Sequence, residues 1–161
     1  MRVRGGLSRS RPTVPGGERD MMDGTGRGAV ALAVALRDAH FRLKRLARVW
    51  EERAQARAVR GRESLGPLWQ YSDDPDEASY TDGQVLGLAD NLTVVFALSI
   101  SFRASGTDVL AGVCVEDDAG NAEELLSTGP EEFPPSAEDL VVEIGRCLDR
   151  MERLDLSDVV R

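Results

Sequence analysis

The stretch Leu92-Thr93-Val94-Val95-Phe96-Ala97-Leu98-Ser99-Ile100-Ser101-Phe102-Arg103 decides the fold. Its large apolar side chains fall at every second position: Leu92, Val94, Phe96, Leu98, Ile100 and Phe102. Successive side chains of a strand point to opposite faces, so this alternation predicts a strand with one buried face. A second run, Asp108 to Asp117, keeps Val109, Ala111, Val113 and Val115 in phase. Two such runs around a short Gly-containing loop read as a β-hairpin.

A four-residue loop at Ala104-Ser105-Gly106-Thr107 sets an expected register, with Arg103 opposite Asp108. Phe102 then faces Val109, Ile100 faces Ala111, Leu98 faces Val113 and Phe96 faces Val115. That face is wholly apolar and demands a cover. The other pairs Ser101 with Leu110, Ser99 with Gly112, Ala97 with Cys114 and Val95 with Glu116. It is small and weakly polar, unlike the charged surface of a plainly solvated sheet. A second covering element is the simpler expectation for it. A shallow groove bordered by Ser99, Ser101, Gly112 and Cys114 is the functional one.

Working outward, Leu68 to Tyr71 follows Gly66-Pro67 and reads as a strand, as does Val85 to Ala89. Between them Ser72 to Asp82 reads as an acidic loop with Asp73, Asp74, Asp76, Glu77 and Asp82. Ala122 to Ser127 reads as a short edge strand or helical turn, and Gly129 to Pro135 as a connector. Ser136 is a good N-cap for a helix carrying Leu140, Val141, Ile144, Cys147, Leu148, Met151 and Leu154 on one face. Asp155 to Arg161 reads as a tail.

Upstream, Leu32, Leu36, Ala39, Leu43, Leu46 and Trp50 recur at alternating steps of four and three. That heptad-like seam predicts a long helix from about Arg27 to about Arg60, its charged end projecting beyond the core. The expected fold is α+β: an antiparallel four- to five-stranded sheet with a long N-terminal and a C-terminal helix packed on it. The helix (residues 25–62) and the acidic part (63–161) form one domain behind a disordered, basic segment, 1–24.

Net charge is −8, unevenly spread. Residues 1–62 hold 15 Lys/Arg against 6 Asp/Glu, and residues 63–161 hold 5 against 22. Such asymmetry suggests an interaction surface or an attraction of one part for the other. Gly17-Glu18-Arg19 can be encoded by a purine run like a ribosome-binding site, which points to a start at Met21 or Met22. The apolar run Gly28 to Leu36 lacks a clean cleavage site and continues a helical pattern, against a secretory signal. It is far below the roughly 18 residues of a membrane span. The Arg-rich, Lys-poor usage is that of a high-GC bacterial genome, and a cytoplasmic setting is expected.

Catalytic signals are weak. His40 is the sole histidine and has no His, Cys or Asp at i+3 or i+4, so no metal pair is expected. Gly24 to Gly28 precede a helix but follow no strand and lack a P-loop lysine. The acids around Asp73 and Asp117-Asp118 do not match a calcium loop. Cys114 and Cys147 read as small buried residues, with a bridge between them conceivable. No cofactor, metal or catalysis is expected, and nucleic acid is disfavoured by the acidic majority.

What remains is a protein-binding module. The first reading is an acidic inhibitor or immunity-type protein for a basic partner, with Asp73, Asp74, Asp76, Glu77 and Asp82 in contact and Trp69 and Tyr71 as anchors. The second is a dimeric, secretion-type chaperone or adaptor pairing through Leu36, Leu43, Leu46 and Trp50. The third is a small-ligand domain using the small-residue sheet face.

Overall fold

The computed structural model describes residues 17–54, 59–74, 76–133 and 136–160, with backbone alone at 17–25, 129–133 and 160. The segment before residue 17 and the expected helical stretch at 55–58 lie outside the described residues. In chain order the elements are α1 (Gly17–Arg53), β1 (Val59–Ser64), β2 (Leu68–Tyr71), β3 (Glu77–Leu88), β4 (Thr93–Arg103), β5 (Gly106–Glu116), β6 (Ala122–Phe133), α2 (Ala137–Arg153) and α3 (Ser157–Val160).

The architecture is α+β, with a fully antiparallel sheet of six strands, slightly more than expected. β1 and β2 run in line along the same edge of β3, β1 against Gln84 to Leu88 and β2 against Ala78 to Thr81. They amount to one edge strand broken at 65–67. The Leu65 amide still bonds the Gly83 carbonyl across that break (3.0 Å). β3, β4, β5 and β6 follow in order.

The hairpin has the expected faces but a tighter register. Arg103 pairs with Gly106 and Ile100 with Val109, so the loop is Ala104-Ser105, two residues rather than four. The shift is two positions, an even number, and therefore moves no side chain to the other face. Val94, Phe96, Leu98 and Ile100 are all buried, as are Val109, Ala111 and Val113 opposite them.

Three outer regions differ from expectation. The acidic loop is shorter, because Glu77 to Asp82 already belong to β3 and pair with β4. The Pro- and Glu-rich connector is strand, since β6 runs to Phe133 and follows β5 through two register shifts. At the first of these, Thr128 Oγ1 accepts from the Ala111 amide (2.9 Å) and donates to the Ala111 carbonyl (3.1 Å). The hydroxyl supplies there the bonds a backbone partner would. The tail is short helix, with Leu156 buried ahead of α3.

Both helices lie on the same face of the sheet, α1 along β3 and α2 along β5 and β6. They run parallel: a Cβ at Gly28 would sit 3.1 Å from Ala137, and Arg42, further along α1, grips Asp149 and Glu152 near the end of α2. Arg42 reaches Glu152 with both Nε (2.9 Å) and Nη2 (2.7 Å), and Asp149 with Nη2 (2.6 Å). This fork holds the Glu152 and Asp149 carboxyls below their ordinary range. Here the basic part of the chain attracts the acidic part.

The heptad seam is spent inside the chain. Leu36, Leu43, Leu46 and Trp50 are buried against the sheet and α2, so the dimer expected through them is set aside: the residues that would pair two copies form the core of one. The end of α1 does not project either, because Ala54 is fully buried and Val59 already pairs with Leu88. α2 starts at Ser136, whose Oγ accepts from the Asp139 amide, and presents Leu140, Ile144, Cys147, Leu148 and Met151 to the core.

Candidate functional site

Six strands have two faces, and the described elements cover one. Facing away from both helices are Glu77, Ser79, Thr81, Gly83 and Val85 on β3 and Val95, Ala97, Ser99, Ser101 and Arg103 on β4. β5 adds Asp108, Leu110, Gly112 and Cys114. The helix or partner sheet expected over this side is absent among the described residues, and its side chains are half-exposed where their neighbours on the other face are buried. β1 and β2 extend it with Glu63 beside Val85, Leu68 beside Thr81 and Gln70 beside Ser79, and Leu65 folds onto its margin. A Cβ at Gly83 would meet Leu65 Cδ1 at 3.1 Å and the Phe96 carbonyl oxygen at 2.6 Å, so only glycine fits there.

The face is graded. Its middle is small and apolar, with Ala97 flanked by Gly83 and Gly112 and then by Val85, Val95 and Cys114. Towards the β4–β5 loop it turns polar. Ser79 pairs with Ser101 and Thr81 with Ser99, making a block of four hydroxyls, and Thr81 Oγ1 lies 3.5 Å from Ser99 Oγ. Beyond them a shallow depression of about 490 Å³ is lined by Gln70, Tyr71, Glu77, Ser79, Ser101 and Arg103, among others. Its cation is neutralised in place: Arg103 Nη1 meets Asp108 at 2.6 Å and Nε meets Glu77 at 3.6 Å.

The β2–β3 turn stands at the rim of this depression. Asp76 N–H donates to Asp74 Oδ1 (3.0 Å) and Asp74 N–H to Ser72 Oγ (3.2 Å), which fixes the turn. Asp73, Asp74, Asp76 and Glu77 are exposed around it, and Tyr71 stands 82% exposed beside them. Glu116 and Glu124 occupy the far end of the face. Cys114 sits between them, its thiol pushed up by partial burial and by those two carboxylates. A thiol so held is a poor nucleophile.

The structure divides the residues expected to act together. Glu77, Ser99, Ser101, Gly112 and Cys114 share the uncovered face, though only Glu77 and Ser101 of these line the depression. Asp73, Asp74 and Asp76 border it, and Tyr71 meets it from the rim, its pairing with Ala78 placing it on the helix side. Trp69 belongs to the opposite face: it pairs with Tyr80, meets that ring edge-on at 5.1 Å and stacks on Phe102 at 5.7 Å. It is part of the core's open end, with its ring still half-exposed.

Asp82 is the largest displacement. It is fully buried on the helix side and receives the Tyr80 hydroxyl (3.0 Å) and His40 Nδ1 (2.9 Å). Its carboxylate therefore takes no part in the acidic surface. Burial pushes the Tyr80 phenol well above its ordinary value, and the Asp82 charge adds to this. Gln84, the next inward residue, bonds Ser64 Oγ (2.9 Å) and the Gly83 carbonyl (2.8 Å). Every buried side-chain polar atom among the described residues has a partner.

Two further expectations resolve. Cys114 is on the uncovered face and Cys147 beneath α2 on the other; both are free, and the sheet stands between them. Asp117 Oδ1 accepts the Ala119 and Asn121 amides (2.9 and 2.8 Å) and Oδ2 the Asn121 side chain, so that carboxylate serves its own turn. No cluster of metal-ligating side chains and no helix long and apolar enough to cross a membrane occurs among the described residues. Comparison with known proteins gave no matching family model, curated protein or solved structure.

Proposed function

We propose that the protein is a non-catalytic protein-binding module that takes up a basic partner on its uncovered sheet face. One observation carries this reading: both helices pack on one side, leaving a face of small and hydroxyl side chains ringed by Asp73, Asp74, Asp76, Glu77, Asp108, Glu116 and Glu124. Small residues let another backbone approach closely, and hydroxyls offer donors and acceptors without a charge to desolvate. The carboxylates at the rim steer a cationic partner and raise its rate of encounter. Leu68 beside Thr81 and Leu110 beside Ser99 supply the exposed apolar surface of that face, while Tyr71, paired with Ala78, stands at its rim on the helix side. An acidic inhibitor or immunity-type protein is the biological form this reading takes.

The test is affinity capture from the source organism's own lysate at graded salt, with wild-type protein beside two variants. A basic partner is expected that elutes steeply with salt. Ser99→Lys should abolish capture with the fold intact, and Asp73→Asn with Asp76→Asn should slow association more than it speeds release. Capture indifferent to Ser99→Lys, or to salt, would refute the reading.

A further inference from the structure

The sheet has two edges, and they are not alike. β6 closes one, with Pro130 in the strand and two register shifts along it. β1 and β2 share the other. β1 carries Arg60, Arg62 and Glu63 and shifts register between Val59 and Gly61. Charges, prolines and bulges of this kind guard an edge against a further strand. β2 has none of them. Its four residues, Leu68-Trp69-Gln70-Tyr71, are uncharged, pair with β3 without a shift and are all exposed. Its outward backbone groups follow from its neighbours. The Leu65 amide bonds the Gly83 carbonyl (3.0 Å) and the Ser72 amide the Glu77 carbonyl (3.4 Å), so Glu77, Ser79, Thr81 and Gly83 address this edge. Leu68 pairs with Thr81 and Gln70 with Ser79, so these two turn their backbone groups to β3. Trp69 and Tyr71 therefore direct their amides and carbonyls away from the sheet, where no described strand pairs with them.

We infer that β2 accepts an extended, basic segment of a partner protein as a further strand of the sheet. The inference rests on the reading of a basic partner given above and names how that partner is held. Pairing with Trp69 and Tyr71 satisfies the open backbone groups of both. Successive side chains of the added strand then meet two surfaces. Those on one side lie along Leu68 and Gln70, which continue the uncovered face. Those on the other lie against the exposed rings of Trp69 and Tyr71, which attract cations. Charge selects the occupant. Asp73, Asp74 and Asp76 stand exposed just past the end of β2, and Glu63 stands exposed before its start. The cations nearby are held: Arg62 by Glu51 (3.1 Å) and Arg103 by Asp108 (2.6 Å). Arg60 is at the far end of β1, bonded to Asn91 (3.0 Å). A second copy of this chain is the poorer occupant, because two-fold pairing about Gln70 brings the acidic turn of each copy towards Glu63 of the other. A basic strand meets the same carboxylates with opposite charge.

Fluorescence anisotropy of the full chain with a labelled octapeptide of alternating valine and arginine tests this. Binding should be saturable and should weaken with salt. The same peptide methylated at every backbone nitrogen keeps its charge but cannot donate to β2, and should bind at least about tenfold more weakly. Tyr71→Pro removes an outward amide at an exposed position and spares the bonds to β3. It should weaken binding several-fold more than Tyr71→Ala, which keeps that amide. Ser99→Lys, two strands in, should leave peptide binding within about twofold. Circular dichroism melts check that each variant folds, and the methylated peptide decides alone should Tyr71→Pro not fold. Equal binding of both peptides, or equal loss in Tyr71→Pro and Tyr71→Ala, would overturn strand addition and leave the basic-partner reading to its own capture test. Loss of peptide binding in Ser99→Lys would seat the peptide on the sheet face and overturn it as well. So would no binding by either peptide, or a dimer in sedimentation that Tyr71→Pro dissociates, which would give β2 to a second copy.

Discussion

The two faces of one strand carry opposite instructions. On β4, Phe96, Leu98 and Ile100 are fully buried under the helices, while Ala97, Ser99 and Ser101 between them are only half-covered. The first set is large because it must fill the space beneath two helices at the density of a protein interior. The second is small although nothing described presses on it. A sheet face that needed only solubility would carry charged and long polar side chains. Here the charges stand at the rim and the centre is left smooth, which suits contact with a second surface better than contact with water.

The comparison breaks most visibly at two nearby positions of β4. Phe96→Ala should cost about 3–5 kcal/mol in urea unfolding, the usual range for emptying a buried aromatic site. Ser99→Lys, three residues along on the other face, should change stability by less than about 1 kcal/mol. Equal losses would mean that both faces are core.

The covered face has one polar island, and it sharpens the contrast. Asp82→Ala strands the Tyr80 hydroxyl and His40 beneath α1, at about 2–4 kcal/mol. Tyr80→Phe should cost less, about 1 kcal/mol, and carries a pH signature. A phenol raised by folding stabilises the native state fully below its unfolded pKa of about 10, and that contribution is lost as pH rises through the folded value. Wild-type stability should therefore decline above about pH 10 by an amount that Tyr80→Phe removes. Thermal melts between neutral and alkaline pH measure the difference.

This island also marks where the sequence stops being legible. Both hairpin faces follow from period 2 alone, and they survive an error of two in the loop because parity is all that face assignment needs. The seam of α1 is equally plain, but its burial within one chain depends on a sheet that lies far along the sequence. Tyr80, Asp82 and Gln84 alternate on an inward face with no hydrophobic pattern to betray it, so the strand reads as loop. The carboxylate of Asp82 is explained by the Tyr80 hydroxyl and by His40, 42 residues earlier, which no local pattern announces. β6 is hidden by Pro130 and four glutamates, which belong at a sheet edge guarded against further pairing. The small-residue face is visible as a run of small residues; its lack of a cover is not, because coverage is a property of helix placement.

The two cysteines give the most direct measurement of that contrast. Cys114 lies half-exposed on the uncovered face and Cys147 is buried beneath α2, and both thiols are raised, so access rather than acidity separates them. Native protein treated with a water-soluble disulfide reagent at mildly alkaline pH should label one thiol, Cys114, with Cys147 reacting only on unfolding. Addition of the captured partner should then slow Cys114. Equal reactivity of the two thiols, or a native protein in which neither reacts, would contradict an uncovered face.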